Sequence, residues 1–497
     1  MTTLDTTSDA SPGGPHATSV GDQENLASGA PPSTTNTDDD RVQGRRALTL
    51  TLVLVALASL VGFGIRWYTV TVSYPTCPEP TYFGEKAPDG CFQDIGWGDA
   101  YYYRTQAQLL ADGQGFANPT AWLQGQLRTD VPQLQPGAGH PPVYTMFLAT
   151  LIKAGVSDVD DHRKAQVLVG TLGVALIGLA GWQIGGRRRH VVAPLSALLA
   201  ATYPMLWIND FRYLSESIYI PIVAVLIMAC YRFWAKPGWG SAAFLGGMIG
   251  LSSLTRGEGI FLLAFTVPPL LWGMRSLTVK HRLALGAVVS GVAFAVLGPW
   301  VAHNLSRFPT PVTVTSGTGM VLIHGSCDQA FYGDAIGYYS FACANVLTPL
   351  DKNPAMAAEE VADAEARSKA ITYITANADQ LPVVMLARAG RMWDIYDVEG
   401  NIRFNAVLEG RGETPSRIGL WFYAALIPFG ILGLLDLRRR GIPLSPIVGL
   451  AAAVTLTAML SFGITRYRIP ADVALVIAAA IGFDLVVRRA VVWLRTS

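Results

Sequence analysis

Ten apolar stretches carrying few charges mark out the chain, at roughly 47–65, 166–184, 191–208, 217–235, 241–254, 259–274, 283–301, 418–437, 442–462 and 469–487. Runs of about 18 or more apolar residues read as membrane-crossing helices. The pattern therefore predicts an all-α polytopic membrane protein. Pro141–Gly155 is apolar as well, but it is short for a span and is read as a re-entrant or juxtamembrane helix. The stretches 241–254 and 259–274 are short too, so the expectation is a bundle of about 10 transmembrane helices, within a range of 10–12.

Basic clusters separate many of the stretches: Arg187–Arg189, Lys236, Arg275 with Lys280 and Arg282, Arg438–Arg440, and Arg488 with Arg489. Lys and Arg collect on the cytoplasmic side of membrane proteins. Ten spans place every cluster there, together with Arg41, Arg45 and Arg46 ahead of the first stretch. Both termini are then cytoplasmic in a multi-pass protein of the cell (plasma) membrane. Residues 1–46 form the tail on this reading. The first forty are rich in Pro, Gly, Ser, Thr and Asp with almost no aromatics, a composition that cannot offset its own ordering entropy and stays disordered. The first apolar stretch starts too late for a cleavable signal peptide, so it is read as a retained anchor. Residues 47–497 make up one transmembrane domain.

Two long outer loops follow from this topology, 66–165 and 302–417. Both contain Trp, Tyr and Cys, and Ala357–Ala376 has helical composition throughout, so both are expected to be folded. Four of the five cysteines fall in them: Cys77 and Cys91 in the first, Cys327 and Cys343 in the second, with Cys230 alone in a span. Local disulfides Cys77–Cys91 and Cys327–Cys343 suit an oxidising outer compartment; free thiols or cross-pairing between the loops are the alternatives.

Composition sharpens the class. Of 497 residues, 51% are hydrophobic and only 15% charged, against about a quarter charged in an ordinary soluble domain. A net charge of +1 offers no basic surplus for nucleic acid. No His/Cys group has metal-ligand spacing, so neither a metal nor another cofactor is expected.

Candidate chemistry gathers at the outer edge. Asp99 opens a predicted amphipathic helix with Tyr103, Ala107 and Leu110 near one face, ended by Gly113 and Gly115. Two roles fit Asp99: a helix cap, or a general base that takes a proton from an attacking hydroxyl. His140 in Gly-His-Pro-Pro either binds substrate or caps the next helix. Asp210 and Arg212 read as interfacial anchors, whereas Glu216 begins a span, where a carboxylate is costly unless it is paired or used. Arg256, Glu258, Arg466 and Arg468 sit at outer turns. These arginines break the positive-inside pattern and need an anionic partner: Glu216, Glu258, lipid headgroups or a bound phosphate, which guanidinium matches as a planar fork.

The order of these segments resembles the GT-C membrane glycosyltransferases, specifically the protein-O-mannosyltransferase and aminoarabinose-transferase-like families, from about residue 47 to the end. The matching pieces are Asp99, Tyr103 and Gly113–Phe116; His140–Pro142; Ser215–Glu216; Gly250–Arg256; Pro299–Asn304; and Arg466–Pro470. The resemblance implies a GT-C-like bundle and an inverting hexosyl or pentosyl transfer from a polyprenyl-phosphate-linked sugar. The acceptor hydroxyl would belong to a protein, lipid or cell-wall glycan on the outer face. It implies Asp99 as catalytic base and Arg256, Arg466 and Arg468 as a phosphate clamp. Tyr103, His140, Glu216, Glu258 and Asn304 would line the substrate site. The chain departs from the pattern in having Asp99-Ala100 in place of an acidic pair, and His303 where Arg often precedes the Asn. A transporter or lipid flippase, and a non-catalytic scaffold subunit, are the rival classes.

Overall fold

The computed structural model describes residues 37–74 and 98–496. Most of the expected tail, and the expected Cys77–Cys91 bridge, lie outside the described residues. The chain divides into two compact units, Met1–Ala47 and Leu48–Ser497; of the first, only the helical stretch from Thr37 is described.

The helices in chain order are α1 Thr37–Tyr68, α2 Gly98–Ala111, α3 Pro119–Leu127, α4 Pro142–Lys153, α5 Val159–Ile184, α6 Arg189–Thr202, α7 Pro204–Trp207, α8 Glu216–Ala235, α9 Trp239–Thr255 and α10 Leu262–Phe265. They continue as α11 Val267–Gly273, α12 Val279–Arg307, α13 Thr318–His324, α14 Asp328–Phe331, α15 Glu359–Ala376, α16 Leu381–Met392, α17 Val398–Val407, α18 Glu413–Arg439, α19 Ser445–Leu460 and α20 Ile469–Thr496. Among the described residues the β pairing is a single isolated bridge, Ala117 to Pro136. The fold is all-α, as the pattern predicted. Local chemistry fixes several starts: Asn118 accepts from the backbone N–H of Thr120 and Ala121 ahead of Pro119, and Asp158 accepts from that of Asp160.

Six helices among the described residues are long and apolar enough to cross a membrane, or seven if the bent pair Gly186–Thr202 and Pro204–Phe211 counts as one span. The charge pattern asked for ten. The difference lies in 241–254, 259–274 and 442–462, whose helices are short, the middle one opening in the 3₁₀ turn Gly257–Phe261 and interrupted at Thr266. This is a multi-pass membrane protein with some elements too short to span alone.

Burial sorts the spans. The apolar window of the span Thr465–Thr496 is 78% buried, against 28% for those of α1, α12 and α18, so α20 is the central post. Small residues let helices approach it closely: a Cβ at Gly482 would collide with the Phe429 carbonyl on α18, and one at Gly433 with the Ala478 carbonyl on α20. Gly178 and Gly181 meet Ala197 and Ser196 across the α5–α6 contact in the same way.

The bundle has two chemically distinct ends. At one, Arg188 and Arg488 converge on Asp484 of α20, at 2.7 and 3.0 Å. Arg440 donates to the Ile184 carbonyl that closes α5. Three of the basic clusters thus gather at one end. The starts of α8 and α20 lie at the other, with α2, α4 and α13–α17 around them. There Cys327 and Cys343 form a disulfide, as expected.

Gly482→Val should lower folding stability by about 1–3 kcal/mol through overpacking. Gly298→Ala, inside α12 where an added Cβ meets no described atom within 4 Å, should hold it or raise it by up to about 1 kcal/mol. Melting temperatures of the two variants in detergent check the contrast.

Candidate active site

Asp99, Glu216, Arg256, Glu258 and Arg466, at the non-basic end, all come from element termini, where backbone direction changes. Asp99 is the second residue of α2, inside the first turn, where the free N–H groups and the helix dipole favour a carboxylate. Glu216 is the first residue of α8. Arg256 directly follows α9 and Glu258 lies in the next 3₁₀ turn. Arg466 sits in the turn Thr465–Arg468 that leads into α20.

These residues form one chain of ion pairs. Glu216, 1% exposed, accepts from Arg256 and lies 3.4 Å from Nε of Arg466. Arg256 also pairs with Glu258, and its guanidinium lies over the Tyr467 ring, 5.4 Å from the centroid. Arg466 Nη2 donates to Asp99 Oδ2 at 3.0 Å, and its Nε is 3.5 Å from Glu409. Both Arg466 Nε and Glu216 Oε2 are buried without a hydrogen-bond partner among the described residues. The cluster is paired in charge but not saturated in hydrogen bonds.

Asp99 keeps 38% of its side-chain surface open. Desolvation in the recess opposes its charge, but Arg466 and then His140 outweigh that and hold its carboxyl well below the usual carboxylate range. His140 Nε2 stands 3.6 Å from Asp99 Oδ1. Its ring stacks on Tyr103, centroids 4.6 Å apart, and meets Tyr102 edge-on. Burial lowers the basicity of His140; Arg466 and Arg256 add to this and Asp99 opposes it, so the imidazole is neutral at pH 7. Burial pushes the Tyr103 phenol up, which keeps it protonated beside these groups.

The structure thus brings together Asp99, Tyr103, His140, Glu216, Arg256, Glu258 and Arg466. Two expected site residues lie elsewhere. Arg468, fully buried, is bound by Asp394 and Asp472 at 2.8 and 3.0 Å and covers the Tyr423 ring. Asn304, buried at the end of α12, donates to the Thr313 carbonyl at 2.7 Å. Asp210, read as an interfacial anchor, is instead wholly buried against Arg66 at 2.8 Å.

Two participants, Glu409 and Arg411, were missed, and Arg212 was read only as an interfacial anchor. Glu409, 4% exposed, approaches Arg466 and accepts from Tyr339 Oη at 3.2 Å. Arg212 donates to the Glu409 carbonyl. Arg411 is buried behind them, 3.1 Å from Asn209 Oδ1. A signal was present: Arg-Gly-Glu occurs at Arg256–Glu258 and again at Arg411–Glu413, each beside an apolar stretch. Among the described residues no group of three His, Cys, Asp or Glu is set to hold a metal.

No family model and no curated protein matches the chain. Among solved structures it is similar to the Archaeoglobus fulgidus oligosaccharyltransferase tethered to an acceptor peptide (TM-score 0.48, 14% identity, 89% of this chain and 50% of that one). The archaeal oligosaccharyltransferase AglB from the same organism, in complex with an inhibitory peptide and a dolichol-phosphate, gives 0.48 and 13% over 90% and 51%. ArnT from Cupriavidus metallidurans bound to undecaprenyl phosphate gives 0.39 and 15% over 86% and 77%. The chain spans about half the length of the archaeal protein.

In Arg466→Gln the desolvation of Asp99 loses its main counterweight, so its carboxyl should titrate at higher pH than in the wild type. Infrared difference spectra over pH, with Asp99→Asn as the blank, should show the carboxyl band at higher pH than in the wild type. An unshifted band would mean that Arg466 does not set the charge state.

Proposed function

We propose that this chain is an inverting GT-C-type glycosyltransferase that moves a sugar from a polyprenyl-phosphate donor to an acceptor hydroxyl at the outer face of the membrane. The observation that carries the reading is the shared ion-pair chain, in which Arg256 and Arg466 converge on Glu216 while Arg466 also holds Asp99. Two guanidinium groups at the end of a lipid-embedded bundle are poised to receive the phosphate of a membrane-anchored donor. The basic clusters at the opposite end support an outer location for this one.

Each residue then has a task. Arg466 turns part of its donor set from Asp99 to the phosphate, and Arg256, fixed by Glu216 and Glu258, supplies the second fork. Negative charge grows on the phosphate as its bond to the anomeric carbon breaks, and preorganised donors there lower the barrier. Released from Arg466, Asp99 regains basicity and draws the proton from the acceptor hydroxyl. Tyr103 and His140 form the adjoining wall. Arg468 and Asn304 are given no task here, because Arg468 is held by Asp394 and Asp472 and Asn304 by the Thr313 carbonyl, apart from the Glu216 cluster.

Purified protein in nanodiscs should transfer label from one member of a panel of radiolabelled polyprenyl-phosphate sugars. Asp99→Asn and Arg256→Lys, the latter keeping a cation against the buried Glu216 but losing the planar fork, should each lower kcat by on the order of 10²–10³-fold without loss of folded protein. Absence of transfer or hydrolysis with every donor would sink the reading in favour of a transporter or a scaffold subunit.

A further inference from the structure

The segment leading to His140 is clamped far more firmly than a loop that only lines a pocket. Tyr102 Oη accepts from the Gly139 backbone N–H at 2.7 Å and donates to Glu359 Oε1 at 2.7 Å. Glu359 Oε2 accepts from the Ala138 N–H and from Ser316 Oγ at 2.7 and 2.6 Å. Thr315 Oγ1 donates to the Gly139 carbonyl, and the Ser316 N–H to the Ala138 carbonyl. A Cβ at Gly139 would strike the Tyr102 ring. Both outer loops therefore hold these two peptide units, while Tyr103 and Tyr102 fix the plane of the His140 ring. What this leaves uncommitted among the described residues is the imidazole edge: its Nε2 stands 3.6 Å from Asp99 Oδ1, and 27% of the side chain is open. A rigidly aimed ring with unspent nitrogens beside a carboxylate is built to exchange a proton with it.

We propose that His140 is a catalytic residue, the proton acceptor of an Asp99–His140 dyad in which Asp99 draws the proton from the acceptor hydroxyl and passes it to Nε2. This rests on the glycosyl-transfer reading above. The acceptor oxygen forms its bond to the anomeric carbon with the electron pair left by that proton. The bond from that carbon to the phosphate oxygen breaks, and its pair leaves on the phosphate, held by Arg256 and Arg466. The proton ends on the imidazole, opposite the Asp99 carboxylate, and returns to water through the open edge of the ring. Asp99 and Tyr103 from α2, Glu216 from α8, Arg256 beyond α9 and Arg466 ahead of α20 face the ring and set its charge. The arginines and burial keep it neutral and able to accept, in support of the role.

The test uses the full-length protein in nanodiscs with the donor that wild type turns over, comparing wild type, His140→Gln and His140→Ala at matched melting temperature. His140→Ala should lose on the order of 10²-fold in kcat with donor KM nearly unchanged. Added imidazole should restore the rate in proportion to its free-base fraction. The acid limb of the wild-type kcat profile should lie below pH 6.5 and be absent at that position in His140→Gln. Active wild type with His140→Ala within a few-fold of it, or a slow His140→Ala that imidazole does not rescue, overturns the dyad alone. Inactive wild type with every donor overturns the glycosyl-transfer reading and the dyad with it.

Discussion

A carboxylate buried at the head of an apolar helix is the constraint around which the non-basic end of this molecule is organised. Glu216 begins α8 with 1% of its side chain exposed, where an unpaired charge would be prohibitive. Arg256 and Arg466 reach it from the ends of two other helices, and each brings a second acid with it. Removing one member of a buried pair typically costs about 3–5 kcal/mol because its partner is left uncompensated. The starts of α2, α8 and α20 and the end of α9 are thereby tied to one another. The same link that keeps these helices in register holds two guanidinium groups side by side.

That economy gives the site a resting state. While Arg466 holds Asp99, the carboxylate is a weak base and the guanidinium is partly spent. An anion that takes the guanidinium returns basicity to Asp99, so on the proposed reading donor binding arms the base. Glu409 and Tyr339 steady Arg466 from the long segment 302–417. The Cys327–Cys343 bridge closes the loop that carries Tyr339.

Much of this was legible along the chain because it rests on local physics. Periodicity placed α2 and the burial of Tyr103 and Ala107, and Gly113 and Gly115 do end that helix with positive φ. The apolar stretches located the helices, but length separated true spans from α9, the broken stretch after it and α19. The misplacements have tertiary causes. Arg466 and Arg468 look equivalent in sequence, yet residues two apart on a 3₁₀ turn project about 120° from one another, and only Arg466 faces Asp99. Glu409, Arg212 and Tyr339 meet across long sequence separations, which no short-range pattern encodes. Asp210 is adjacent to polar residues but is folded inward to neutralise Arg66.

The even match of charges in the cluster has a kinetic corollary. Arg212, Arg256, Arg411 and Arg466 are balanced among the described residues by Asp99, Glu216, Glu258 and Glu409. So balanced a set projects little field beyond a Debye length. Such a recess cannot gather an anion from bulk water by long-range attraction. On the proposed reading it suits a donor already confined to the plane of the bilayer, which arrives by lateral diffusion and exchanges partners only on contact, at a rate that hardly changes with ionic strength.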